Sequence, residues 1–149
     1  MMHLVDILEH LFGEVVGVGE LRRWELQRQW RASFAPQLES WAGPLRDHCW
    51  HALSYGLVSS RRGADATDVF EEHLRPGVVL LATEEPSLAP SYRVVSTRAI
   101  TYGELSEKWV GDLYLISEDW SWSFVMTHEG AALGPYFVES DLGFAGEAG

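Results

Sequence analysis

Trp120-Ser-Trp-Ser-Phe-Val-Met-Thr-His-Glu129 is the stretch whose pattern decides the fold of this chain. One set of alternate positions carries Trp120, Trp122, Phe124, Met126 and His128; the other carries Ser121, Ser123, Val125 and Thr127. Successive side chains of a strand point to opposite faces. The pattern therefore predicts a strand with one aromatic face and one small, mostly polar face. The aromatic row is most simply the wall of a core packed on helices. It ends in an imidazole followed by a carboxylate, which suggests a site without naming a reaction.

Working outward, Asp112–Ser117 and Trp120–His128 are expected to form a hairpin around Glu118-Asp119, with Pro135–Glu139 as a third strand. Val78–Ala82 and Tyr92–Ser96 are two further strand candidates, separated by a loop with two prolines. Helical spacing prevails earlier. Leu4, Ile7, Leu8, Leu11 and Phe12 follow the i, i+3, i+4, i+7, i+8 pattern, closed by Gly13. Glu14–Val18 is a short β-branched piece with strand character. Glu20–Phe34 stacks Leu26, Trp30 and Phe34 at i, i+4, i+8 and stops at Pro36. Arg46–Tyr55 also has helical character. Asp65 and Asp68 resemble a capping box opening a helix that runs to about Arg75 and buries Val69, Phe70, His73 and Leu74. Thr101 and Glu104 form a second box, with Ile100 and Leu105 as its hydrophobic staple. The expected class is α+β: a mainly antiparallel sheet of about four or five strands in the C-terminal half, packed by helices from the N-terminal half.

The 149 residues suit a single domain, 1–149, with about 141–149 too glycine-rich to pack and expected to fray. Net charge is −11. Such a chain repels phosphate backbones, which argues against nucleic acid as a partner. The charge is uneven: from Glu104 onward nine carboxylates face Lys108 alone, whereas Glu20–Arg31 carries four arginines and two glutamates. An acidic end steers a basic partner; the plainer reading is solubility. Cys49 is the only cysteine, so no intramolecular disulfide forms. The first residues lack the basic start of a signal peptide, and no apolar run approaches the ~18 residues of a membrane span. The expected setting is cytoplasmic, with no membrane association.

Three groups of residues resemble a family of small bacterial proteins known only as a domain of unknown function. Trp50-His51-Ala-Leu-Ser54-Tyr55 is similar to its W-H-x-x-S-Y motif. Asp112-Leu-Tyr-Leu115, then Trp122-Ser-Phe-Val-Met-Thr127-His128-Glu129 and Gly134-Pro-Tyr-Phe137, resemble its D-x-Y-x … W-[ST]-[FY]-x-x-T-H-E … G-P-Y-F pattern. Trp30-Arg-Ala-Ser-Phe34 fits its W-x-x-x-F helix. The resemblance runs from Trp30 to Phe137 and implies a fold and a marked surface; it implies no activity.

His51, His128 and Glu129 admit two readings. Histidine titrates near neutrality, transfers protons and ligates metals, so with Ser54 they suggest a small hydrolase or metal-dependent enzyme. Against this stand the missing G-x-S-x-G elbow, H-E-x-x-H helix and second cysteine ligand set. The plainer reading has both histidines capping an aromatic core. We expect no catalytic residue, metal or cofactor. A possible site cluster comprises Trp50, His51, Tyr55, Thr127 and Tyr136. On the second helix Trp24, Arg28 and Arg31 share a stripe, either an interface anchor or a packed tryptophan with salt-bridging arginines. The function expected is that of a non-enzymatic cytosolic binding protein of immunity or antitoxin type, holding a basic protein partner through Glu118, Asp119, Trp120, His128 and Glu129.

Overall fold

The computed structural model describes residues 4–19, 23–36, 59–74, 79–82, 91–96, 100–108, 113–127 and 134–140. In chain order these form α1 (Leu4–Phe12), β1 (Gly13–Gly19), α2 (Arg23–Phe34), β2 (Arg61–Arg62), α3 (Ala64–His73), β3 (Val79–Ala82), β4 (Ser91–Ser96), α4 (Tyr102–Lys108), β5 (Leu113–Ser117), β6 (Trp122–Met126) and β7 (Tyr136–Glu139). The expected helix over Arg46–Tyr55 and the tail after Asp141 lie outside the described residues. The strands make one sheet in the order β1-β4-β3-β5-β6-β7-β2. Every neighbouring pair is antiparallel. The class is α+β, with β3 to β7 from the C-terminal half and edge strands β1 and β2 from the N-terminal half.

Register sorts the side chains of the central strands. Leu113 faces Met126, Leu115 faces Phe124, and Phe124 faces Phe137, so these lie on one face of the sheet. Tyr114 faces Val125, Ile116 faces Ser123, Val125 faces Tyr136 and Ser123 faces Val138 on the other. Both faces are buried along β5 and β6. Leu8, Leu11 and Phe12 of α1, Ala66, Phe70 and Leu74 of α3 and its C-cap, and Leu105 of α4 join the first face in one core. Phe70 stacks on Phe124 with centroids 4.1 Å apart, and Tyr102 meets Phe124 edge-on at 6.0 Å. The opposite face is covered by α2, whose Trp30 and Phe34 are buried. Trp30 meets Tyr114 edge-on at 6.0 Å and donates its indole N–H to Ser123 Oγ at 3.1 Å. The small polar row is thus an inner surface, with its hydroxyl at position 123 matched to a tryptophan.

Local chemistry sets the helix ends. Gly13 takes φ 101, open to glycine at little cost, and turns the chain from α1 into β1. The amide of Glu104 donates to Thr101 Oγ1 at 3.2 Å, and the amide of Thr101 to Glu104 Oε1 at 3.4 Å, so the capping box at α4 forms as expected. Ile100 and Leu105 are both buried beside it. Glu71 of α3 accepts the amide of Tyr102 at 2.9 Å, tying the two helices together. Thr101→Ala is expected to lower stability by about 1 kcal/mol in urea unfolding; an unchanged midpoint would mean that Glu71 alone suffices as a cap. The box expected at Asp65 and Asp68 does not cap its helix. The N-cap of α3 is Gly63, with no side-chain cap bond, and Asp65 lies inside the first turn. The helix ends at His73, and Leu74 is buried just beyond it, while Val69 and His73 are only half-buried.

Candidate functional site

The turn between β5 and β6 is built from Ser117, Glu118, Asp119, Trp120 and Ser121. The amide of Trp120 donates to the carbonyl of Ser117 at 2.9 Å and closes it. Inside, Asp119 Oδ1 accepts the hydroxyl of Ser121 at 2.6 Å, the hydroxyl of Ser117 at 2.9 Å and the amide of Ser121 at 3.1 Å. Ser117 Oγ accepts the amides of Ser121 and Trp122 at 2.9 and 3.1 Å. A hydroxyl has one proton and two acceptor sites, so Ser117 fills its capacity at the centre of the turn. The bonded Ser121 hydroxyl holds Asp119 below the usual carboxylate range; partial desolvation opposes this, and the Ser117 hydroxyl and Ser121 amide reinforce it. Asp119 is therefore ionised at neutral pH.

This bonding changes where Trp120 stands. Alternation placed it on the aromatic face with Trp122, Phe124 and Met126. Instead it has φ 59, left-handed backbone that a bulky residue seldom adopts, and β6 begins only at Trp122. Its indole ring lies 6.5 Å from Phe34, the α2 residue on the opposite face. Phe34 lies 5.4 Å from Trp30, so a row of rings runs from the turn into the covered face. Trp120 is half-buried, while Glu118 and Asp119 beside it are exposed.

The other expected site residues divide in two. Thr127 and Tyr136 are buried, and alternation from Val125 places them on the face that α2 covers. Gly134 lies against Tyr136, where an added Cβ would come within 3.0 Å of the ring. Gly134-Pro135 is a cis peptide. The Arg62 guanidinium carbon stands 5.0 Å from the centre of the Tyr136 ring. Trp50, His51, Tyr55, His128 and Glu129 lie outside the described residues, as do the side chain of Trp24 and Cys49. The acidic tip and Thr127 stand at opposite ends of β6, roughly 20 Å apart at the usual strand rise. The tip is therefore a surface of its own, separate from the Thr127 end.

Arg28 is exposed and Arg31 half-buried, and Arg31 Nε is buried with no hydrogen-bond partner among the described residues. Also among the described residues, no group of three or more His, Cys, Asp or Glu gathers as a metal site would require, and no helix is long and apolar enough to cross a membrane. Sequence reasoning missed Ser117 and Ser121, whose role is to bond Asp119. Their signal is the serine–aspartate–serine spacing at i, i+2, i+4 across a turn, where such side chains bond nearby backbone.

Fold and turn together define an α+β protein with helices on both faces of an antiparallel sheet and a cross-bonded acidic hairpin at one end. Residues 2–137 match the family described as Domain of unknown function (DUF4275), and the chain belongs to that family. No curated protein and no solved structure matches it.

Proposed function

We propose that this chain is a non-enzymatic cytosolic binding protein that holds a basic protein partner through the tip Glu118–Trp120, in the manner of an immunity or antitoxin protein. One observation carries the reading: a tryptophan is held half-exposed, in an unfavourable backbone conformation, between carboxylates and a ring from the neighbouring helix. Unfavourable backbone held by surrounding bonds concentrates at functional positions, and tryptophan is the residue most enriched among interface anchors. Charge supports a basic partner. The helices over the first face expose Asp6, Glu9, Asp65, Asp68, Glu72 and Glu107, and the net charge is −11. Potentials of one sign speed the approach of an oppositely charged protein.

The test is capture from the source lysate with the full chain as bait, followed by affinity measurement on the protein recovered. A stoichiometric basic partner is expected, held more weakly as salt rises. Trp120→Ala should cost about 2 kcal/mol or more, roughly thirty-fold in affinity. Glu118→Lys should slow association. No stoichiometric partner, an acidic one, or full affinity in Trp120→Ala would overturn the reading.

A further inference from the structure

Asp119 is exposed and ionised, which would suit a direct ion pair with a basic partner, yet its bonded oxygen faces inward. Oδ1 accepts two hydroxyls and one amide, all from residues within two positions of Asp119. Those bonds fix Ser117 and Ser121 on either side of Trp120, and Ser117 in turn receives the amides of Ser121 and Trp122. Trp120 sits in the middle with φ 59. Left-handed backbone is disfavoured for a residue with a Cβ, so something must hold it, and the bonded residues on both sides of Trp120 are what the turn provides. Once held, the indole is directed towards Phe34 on the side of α2; in an extended strand it would stand on the other face with Trp122.

We infer that Asp119 is a positioning residue: its carboxylate acts as a hydrogen-bond acceptor that locks Trp120 in place, and Trp120 with Glu118 meets the partner. The inference rests on the tip being the binding surface but concerns a different property, the conformation of the free protein. Acceptor and charge are separable by substitution. Asparagine at 119 retains an oxygen at the Oδ1 position and lacks the charge, whereas alanine lacks both.

The experiment labels the full chain with 5-fluorotryptophan and records ¹⁹F spectra without partner; Trp120→Phe assigns one of the seven tryptophan signals. Asp119→Ala is expected to move the Trp120 signal towards that of free fluorotryptophan while the other signals stay, which also shows the fold intact. Ser121→Ala should move it the same way to a smaller extent. Asp119→Asn should leave it in place and, with a partner from the lysate, retain capture that Asp119→Ala loses. An unmoved Trp120 signal in Asp119→Ala overturns the inference and leaves the tip reading standing. Loss of capture in Asp119→Asn with the signal unmoved also overturns it, because Asp119 would then touch the partner through its charge. If Asp119→Ala unfolds the chain, the unmoved or moved signal in Ser121→Ala decides. Failure to capture any partner counts against the tip reading alone, since the spectra decide the lock.

Discussion

Trp30→Ala is expected to lower stability by about 3–5 kcal/mol, the range for truncating a fully buried large aromatic. Trp30 is fully buried, and its ring stands between Phe34 at 5.4 Å and Tyr114 at 6.0 Å. With Phe34 it is one of the two large buried aromatics by which α2 packs on the sheet, among the described residues. Truncation also leaves Ser123 Oγ without its indole donor. That bond can be weighed separately. Ser123→Ala retains the ring but leaves the N–H buried and unpaired, at a cost of about 1–3 kcal/mol. Trp30→Phe removes the N–H and should cost about as much. A double-mutant cycle should then return a coupling near 1 kcal/mol, because removing both partners spares the penalty of an unpaired group. Urea unfolding checks each value; for Trp30→Ala the midpoint should fall by roughly 2 M at an ordinary denaturant slope. A loss of less than about 1 kcal/mol would mean that the Trp30 ring adds little to the hold of α2 on the sheet. Because Phe34 carries Trp120, Trp30→Ala should also disturb the tip.

Patterns with a local physical cause were legible in the sequence. The spacing of Leu4, Ile7, Leu8, Leu11 and Phe12 sets one helix face, and α1 ends at Phe12, closed by Gly13 as the glycine predicts. Thr101 and Glu104 bond reciprocally because the box needs only three residues of separation. The alternation from Trp122 to Thr127 holds, since β6 is central and both its faces are covered. Patterns that depend on distant partners were not legible. Arg61-Arg62 has no strand signature; it becomes β2 only by pairing with Tyr136 and Phe137, with the amide of Gly63 bonded to the carbonyl of Pro135. Alternation failed at Trp120 for a different reason. Ser117, Asp119 and Ser121 offered the backbone local bonds that compete with extended pairing, so the strand began two residues later and the indole changed sides. Of the expected site, the turn at Glu118–Trp120 was legible in place and charge. The inward role of the Asp119 carboxylate was not, because a sequence shows a carboxylate but not which way its oxygens face.

Phe124→Ala tests the other face and should cost about 3–5 kcal/mol as well. Phe124 is fully buried; Phe70 of α3 stacks on it at 4.1 Å and Tyr102 of α4 meets it edge-on at 6.0 Å, while Leu115 and Phe137 flank it on the neighbouring strands. Loss of the ring opens roughly 100 Å³, and at about 24 cal/mol per Å³ the unfilled part alone accounts for some 2 kcal/mol. How far the site collapses decides the rest. Two helices and two strands meet there, and Glu71 bonded to the amide of Tyr102 limits how far α3 and α4 can move independently, so the upper part of the range is expected. Phe124→Leu fills most of the space and should cost less than about 1.5 kcal/mol. The two faces also differ in what they carry. In hydrogen exchange, Phe124→Ala should expose the amides of α3 and α4 and leave the tip as it is. Its Trp120 fluorine signal should stay in place, whereas Trp30→Ala should move it, because only the Trp30 side reaches Trp120 through Phe34. Equal movement of that signal in both variants would mean that the tip responds to the stability of the whole sheet; movement in Trp30→Ala alone shows that α2, through Phe34, adds to the support that Asp119 gives.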